Sequence, residues 1–307
     1  MKNKKFLIFI VGPTSVGKTS ISIFLAKKFK TEILSYDSRQ FYKELKIGSS
    51  MPTSEELNSV PHHFIGHLTI HKNYNVKSFQ KESFKKIKEL FSKNSILIMV
   101  GGSGLYEKSI TEGLSDIPNI DLNIRKDLIL NFSKKGIIFL QKEFLKFEKK
   151  PYPIDINNPK RLIRYLEIVK STGHPPYFFF KKKKSCLLNK DFTILKIGLI
   201  LPRNEIYFRI NNRVDQMIKN GLIDEAKKYY PYKYLNGLQT IGYKEIFDFI
   251  EKKNSISETI EMIKKNTRKY AKRQLTWYKK DTSVMWFDPK EKKKIFNFIE
   301  KKILNKK

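Results

Sequence analysis

Gly12-Pro-Thr-Ser-Val-Gly17-Lys18-Thr19 brings together residue types that can hold linked phosphates. Glycines at both ends let the backbone curl until its N–H groups point inward, the arrangement an anion requires. Lys18 adds a point charge, and the Thr19 hydroxyl is a hard oxygen donor suited to a magnesium ion bridging two phosphates. Pro13, Thr14, Ser15 and Val16 complete the loop. The motif does not say whether a phosphoryl group is transferred or whether phosphate departs. Asp37 ends the apolar stretch Glu32–Tyr36, and ligands of open parallel sheets gather at the carboxyl ends of strands, so Asp37 is expected to face the loop. A kinase of this class would carry a magnesium-binding acid after the run Ile96–Val100. Here Gly101 and Gly102 follow, then the hydroxyl of Ser103.

The elements that position these groups are legible from hydrophobic pattern. Phe6–Val11 reads as a buried strand feeding the loop, and Ser20–Ala26 as the helix leaving it, whose first-turn donors point at the phosphates. Glu32–Tyr36 and Ile96–Val100 supply two further strands, with an amphipathic helix over Val76–Phe91 between them. After Gly113 three short basic helices are expected, Asp121–Phe132, Gln141–Lys149 and Asn158–Lys170, broken by Pro151, Pro153 and Pro159. No strand intervenes, which points to an inserted helical subdomain. The chain returns to the sheet at Thr193–Leu201. The expected architecture is α/β: a P-loop NTPase-like parallel sheet flanked by helices, with core parts 1–115 and 191–307 around a helical insertion at 116–190.

At 307 residues with 40% hydrophobic content, the chain can bury a large core. No apolar run reaches the roughly 20 residues that cross a bilayer, so no membrane association is expected. One cysteine, Cys186, excludes an intramolecular disulfide framework and a cysteine-rich zinc site, and favours a cytoplasmic setting. The net charge of +32 suggests a nucleic-acid partner. Abundant Ile, Asn, Phe and Tyr beside the lysines also fit A/T-rich coding, which inflates charge without any partner. Arginine is the sharper signal, because its planar fork grips phosphate or carboxylate in a way lysine does not. Only nine of the 62 basic residues are arginine: Arg39, Arg125, Arg161, Arg164, Arg203, Arg209, Arg213, Arg268 and Arg273. Arg209 and Arg213 fall one helical turn apart and so can meet one polyanion. The pair His62-His63 is not read as a metal site, since neighbouring side chains diverge and no acid or cysteine stands at ligand spacing. Lys181–Lys184 beside Phe178–Phe180 reads either as a solvated loop or as an RNA-stacking patch.

The loop Gly12–Thr19, Ser35-Tyr36-Asp37-Ser38-Arg39-Gln40, Ile47-Gly48, Pro61-His62, Val100–Ser103, Arg161-Leu162-Ile163-Arg164, Gly221-Leu222, Thr240–Tyr243 and Ala271–Trp277 resemble, in order and over nearly the whole chain, the bacterial tRNA dimethylallyltransferases, also called tRNA isopentenyltransferases. One departure is Ser103, where the family commonly has threonine; the hydroxyl survives. The resemblance implies transfer of a dimethylallyl group from dimethylallyl diphosphate to N6 of the adenosine 3′ of the anticodon, releasing diphosphate. Gly12–Thr19 with Arg209 would bind the diphosphate, magnesium would sit on Thr19, and Lys18 and Arg213 would stabilise the departing charge. Asp37 would accept the amine proton while Ser103 orients the amine. Contacts to the tRNA anticodon stem-loop would come from Asp37, Ser38, Arg39, Gln40, Ser103, Arg125, Lys160, Arg161, Leu162, Ile163, Arg164, Gln239, Thr240, Ile241, Gly242, Tyr243 and Lys244. A monomer is expected. Two other readings share the loop: a nucleotide or metabolite kinase, for which ATP would occupy it, and a non-catalytic RNA-binding protein.

Overall fold

The structure, a computed structural model, describes residues 4–118, 120–148, 153–182 and 192–305. In chain order the elements are β1 Lys5–Val11, α1 Lys18–Phe29, β2 Ile33–Ser35, α2 Ser54–Ser59, β3 His62–His63, α3 Val76–Leu90, β4 Ile96–Val100 and α4 Gly104–Thr111. There follow α5 Leu122–Phe147, α6 Pro159–Thr172, β5 Phe192–Leu199, α7 Arg203–Lys219, α8 Leu222–Tyr229, α9 Tyr243–Ile250, α10 Ile256–Lys279, β6 Val284–Phe287 and α11 Lys292–Leu304.

The six strands form one sheet in the order β3-β2-β4-β1-β5-β6, and every neighbouring pair is parallel. β1 lies inside it, with Ile8 opposite Ile98 of β4 and Leu195 of β5. Its continuous apolar run has a direct cause, because helices cover both faces of a parallel sheet and neither face meets water. Leu7, Phe9 and Val11 enter one core with Leu34, Tyr36, Leu97 and Met99. Phe6, Ile8 and Ile10 enter the other with Ile33, Ile98, Ile197 and Leu199. The pleat period of two divides the strand between them. Parallel strands also present their carboxyl ends along one edge, which is where Gly12, Asp37 and Gly101 emerge.

The chain divides into two compact units, Met1–Thr111 with Leu188–Lys307, and Glu112–Leu187. In the second, Leu128, Leu140, Phe144, Leu162, Tyr165 and Leu166 make a separate small core between α5 and α6. The two helices expected at Asp121–Phe132 and Gln141–Lys149 are present as the two stretches of α5, separated by a break at Gly136, whose backbone leaves the helical region at φ 68. Asn158 caps α6, accepting from the Arg161 N–H at 3.2 Å, with Pro159 in the first turn, where a missing N–H costs nothing. Among the described residues, no helix is long and apolar enough to cross a membrane.

Candidate active site

The loop from Gly12 to Gly17 leaves β1 and enters α1 at Lys18. Val16 is fully buried in the core, so its side chain anchors the loop while its backbone lines the curl. Lys18 Nζ folds back on its own loop, donating to the carbonyls of Gly12 at 3.0 Å and Pro13 at 2.8 Å. Burial holds this ammonium down to about 8; Asp37 works against that shift and Arg213 adds to it. A partly desolvated cation satisfied only by carbonyls is poised to gain from an incoming anion.

Around the loop opens a cavity of about 660 Å³. Its walls include Thr14, Ser15, Lys18 and Thr19 of the loop, Asp37, Arg39 and Gln40 after β2, and Arg213 of α7. The stretch Lys46–Leu57 supplies most of another wall, and Tyr270 and Gln274 of α10 close the remainder. Arg213 makes no ion pair among the described residues; its side chain stays accessible to solvent, and partial desolvation lowers its pKa, with Asp37 and Glu56 opposing. Arg209, one turn earlier on α7, goes elsewhere. It pairs with Glu205 at 2.7 Å on its own helix and lines neither of the two cavities described here.

Asp37 has two roles open to it. Its Oδ1 accepts from the Arg39 N–H at 3.2 Å, an Asx-type turn that holds the segment after β2, whereas Oδ2 accepts no hydrogen bond among the described residues. Ser103 lies on the neighbouring loop after β4; its Oγ accepts from the Ser38 N–H at 3.2 Å and sits 3.0 Å from Ser38 Oγ. Ser103 therefore joins the two loops that frame Asp37.

A second cavity, about 520 Å³, shares Arg39 and Tyr270 with the first and adds Ser38, Gln239, Thr240, Ile241, Lys244 and Arg273. Arg39 Nη2 donates to the Ile241 carbonyl at 2.6 Å and its guanidinium lies 5.6 Å from the Tyr270 ring centroid. The Arg273 guanidinium lies 5.8 Å from the same centroid, and an aromatic ring in a cavity wall beside two cationic forks is the kind of surface on which a nucleobase can stack.

Several residues expected to touch RNA are placed otherwise. Leu162 and Ile163 are buried in the core of the second unit, because their face of α6 is its apolar stripe. Tyr243 is buried too, its hydroxyl donating to Glu225 at 2.6 Å. The side chains of these three are structural, and Gly242 is likewise enclosed. Within the second unit Lys160 and Arg161 are exposed. Arg125 and Arg164 both pair with the buried carboxylate of Glu167 while half of each stays accessible. His62 and His63 bond to the Val60 carbonyl and to Glu32, and among the described residues no group of three acids, histidines or cysteines could hold a metal. Cys186, Lys183 and Lys184 lie outside the described residues.

Gln274 is the residue that sequence reasoning missed. Its Oε1 accepts from the Thr14 N–H at 2.8 Å and its Nε2 donates to the Gly102 carbonyl at 2.9 Å, so one buried amide ties the phosphate loop to the turn after β4. A Cβ on Gly102 would lie 2.2 Å from that Nε2, which explains the side-chain-free residue there. The motif Ala271–Trp277 was the available signal, but an amide bridging two backbone segments has no spacing of its own.

The family model for IPP transferase matches residues 40–281. The chain belongs to the IPP transferase family. It is 50% identical over 300 residues to the tRNA dimethylallyltransferase of Christiangramia forsetii, covering 97% of this chain and 98% of that one. It is 45% identical to that of Flavobacterium johnsoniae, covering 92% and 93%. Among solved structures, the full-length tRNA isopentenylpyrophosphate transferase of Bacillus halodurans superposes with a TM-score of 0.72 at 38% identity, over 99% of this chain and 98% of that one. A eukaryotic dimethylallyltransferase described as acting on tRNA gives 0.70 at 27% identity, over 93% and 74%. These IPP transferase relatives share the whole α/β fold, not the phosphate loop alone.

Proposed function

We infer that this protein is a tRNA dimethylallyltransferase, transferring the allyl group of dimethylallyl diphosphate to N6 of an adenosine beside the anticodon and releasing diphosphate. The observation that carries the reading is a single cavity in which a phosphate loop, the cations Lys18 and Arg213, unpaired among the described residues, and the carboxylate of Asp37 all meet. In allylic displacement the C–O bond to diphosphate breaks as the N6–C bond forms, and the amine proton must leave. Buried donors stabilise the charge gathering on diphosphate more strongly than water would. Asp37, through Oδ2, takes the proton, a contribution of about 10²–10⁴ in rate. Ser103 orients the amine and Tyr270 offers it a stacking face.

The oxygen donors present suit magnesium better than a softer ion: Thr19 supplies a hydroxyl, and Asp37 stands across the same recess. With so few protein ligands the ion would be held by Thr19 together with water and the diphosphate itself. When bound, it would neutralise leaving-group charge. The tRNA would engage the second cavity through Ser38, Arg39, Gln239, Thr240, Ile241 and Lys244, and the exposed edges of Arg125, Lys160, Arg161 and Arg164 would meet its phosphates. A flipped base costs a few kcal/mol of stacking that such contacts must offset. We place the enzyme with its substrate in the cytoplasm, acting as a monomer.

The test is mass spectrometry of nucleosides from tRNA incubated with the protein, dimethylallyl diphosphate and magnesium. A dimethylallyl-adenosine product is expected. Unmodified adenosine throughout, or transfer of radiolabel from ATP to an acceptor, would overturn the reading.

A further inference from the structure

Three motifs of the chain, Ile47-Gly48, Gly221-Leu222 and Gly242-Tyr243, have no part in the chemistry above, and they converge on one side chain. Gly221 starts α8 in a left-handed conformation at φ 92, and its carbonyl accepts from the Glu225 N–H at 2.9 Å. That turn projects Glu225 toward the segment after Leu45. Its Oε2 accepts from the N–H groups of Lys46 at 3.0 Å and Ile47 at 2.9 Å. Its Oε1 accepts from Gly48 N–H at 2.9 Å and from the Tyr243 hydroxyl at 2.6 Å. A carboxylate has about four lone-pair sites, and all of them are filled.

The segment so held is a wall of the larger cavity. Lys46, Ile47, Ser49, Ser50 and Met51 all line it, whereas Glu225 does not. The wall is closed on itself by Ser50 N–H to the Ile47 carbonyl at 2.9 Å and Met51 N–H to the Lys46 carbonyl at 3.1 Å. It is also tied to the turn of Asp37, since Gln40 donates through Nε2 to the Ser50 carbonyl at 3.0 Å and through its backbone N–H to the Asp37 carbonyl at 2.9 Å. Gly48 rests against the Tyr243 ring, where a Cβ would come within 2.4 Å of Cζ.

We propose that Glu225 is a positioning residue for the allylic diphosphate: an anion outside the cavity that fixes the Lys46–Met51 wall by collecting its backbone donors against Tyr243. This rests on the transferase reading above. Charge is the operative property, because four donors converge on two oxygens and an amide would turn an N–H₂ against two of them.

The test uses the full-length chain in steady-state kinetics with tRNA and dimethylallyl diphosphate, calorimetric titration with inorganic diphosphate and magnesium, and thermal melting. Glu225→Gln is expected to raise KM for the allylic diphosphate about tenfold or more, the scale of losing a charge-assisted hydrogen bond, and to weaken inorganic diphosphate by a similar factor. Its kcat and its KM for tRNA are expected to stay within about threefold. Gly48→Ala pushes the same wall off the Tyr243 ring and should act in the same direction, and Tyr243→Phe, which keeps the ring and removes one donor, should act less. Effects of Glu225→Gln and Gly48→Ala should combine to less than their product, since they disturb one contact. Unchanged diphosphate affinity and KM in variants that merely melt lower would overturn the proposal, and Gly48→Ala and Tyr243→Phe decide it where Glu225→Gln does not fold. A wild type that binds diphosphate but transfers nothing would instead overturn the transferase reading, leaving the titration to judge Glu225.

Discussion

Two pairs of cations, one pair in each compact unit, are handled in opposite ways. In the sheet unit Lys18 and Arg213 line the cavity at the phosphate loop, and neither forms an ion pair among the described residues. In the inserted unit Arg125 and Arg164 share one buried carboxylate, Glu167, and keep half their surface in water. A partly desolvated cation without a counter-charge gains when something anionic arrives, so the first arrangement suits a ligand. The second is balanced at rest and presents only edges, which suits many weak phosphate contacts to a large partner. Unpaired charge faces the cavity here, and paired charge faces water.

That contrast can be broken by experiment. Asp37→Asn should have the largest effect, lowering kcat by about 10³ while tRNA affinity holds, as measured by single-turnover prenylation and filter binding. An intact kcat would mean that Asp37 is only the turn residue that its bond to Arg39 already makes it. Arg213→Ala should cost about 10² in kcat/KM for dimethylallyl diphosphate. Arg209→Ala, one turn away but paired with Glu205, should cost under about threefold; equal losses would erase the distinction between cavity-lining and paired arginines. Gln274→Ala leaves the Thr14 N–H and the Gly102 carbonyl without their partner, and denaturant unfolding should show about 1–3 kcal/mol of lost stability. The smallest effect belongs to the inserted unit. Arg161→Ala, exposed and free of the Glu167 pairing, should weaken tRNA binding a few-fold and reduce the slope of log affinity against log salt by about 1. A change in kcat without a change in slope would contradict its assignment to grip.

Much of this arrangement could be read from residue order, for identifiable reasons. β1 and β4 are uninterrupted apolar runs that end in glycine, so strand and loop are visible together. β6 was not read: it is four residues long, and Met285 is 47% exposed at its second position, which spoils the pattern of a buried strand. β3 is two residues and has no pattern to show. The two helical stretches of α5 are legible because a non-helical glycine, Gly136, and a gap in the hydrophobic spacing fall together between them. At the site, Lys18, Asp37 and Arg213 carry chemistry in their side chains and announce themselves. Leu162, Ile163 and Tyr243 sit in motifs beside functional residues yet serve packing, and motif membership does not separate those roles. Gln274 and Glu225 work by meeting backbone groups far away in sequence, 260 residues in the case of Thr14, and only the fold brings such partners together.

The same long span has a bearing on synthesis. β1 obtains one of its two neighbours only when β5 has emerged, and the phosphate loop receives its amide partner only when residue 274 has been made. A nascent or truncated chain ending before α10 thus carries the complete glycine loop, lysine and aspartate, but lacks the clasp that holds loop and turn together. Such a fragment should be inert toward its substrates, and the competence of the enzyme is deferred until translation of the last fifth of the chain.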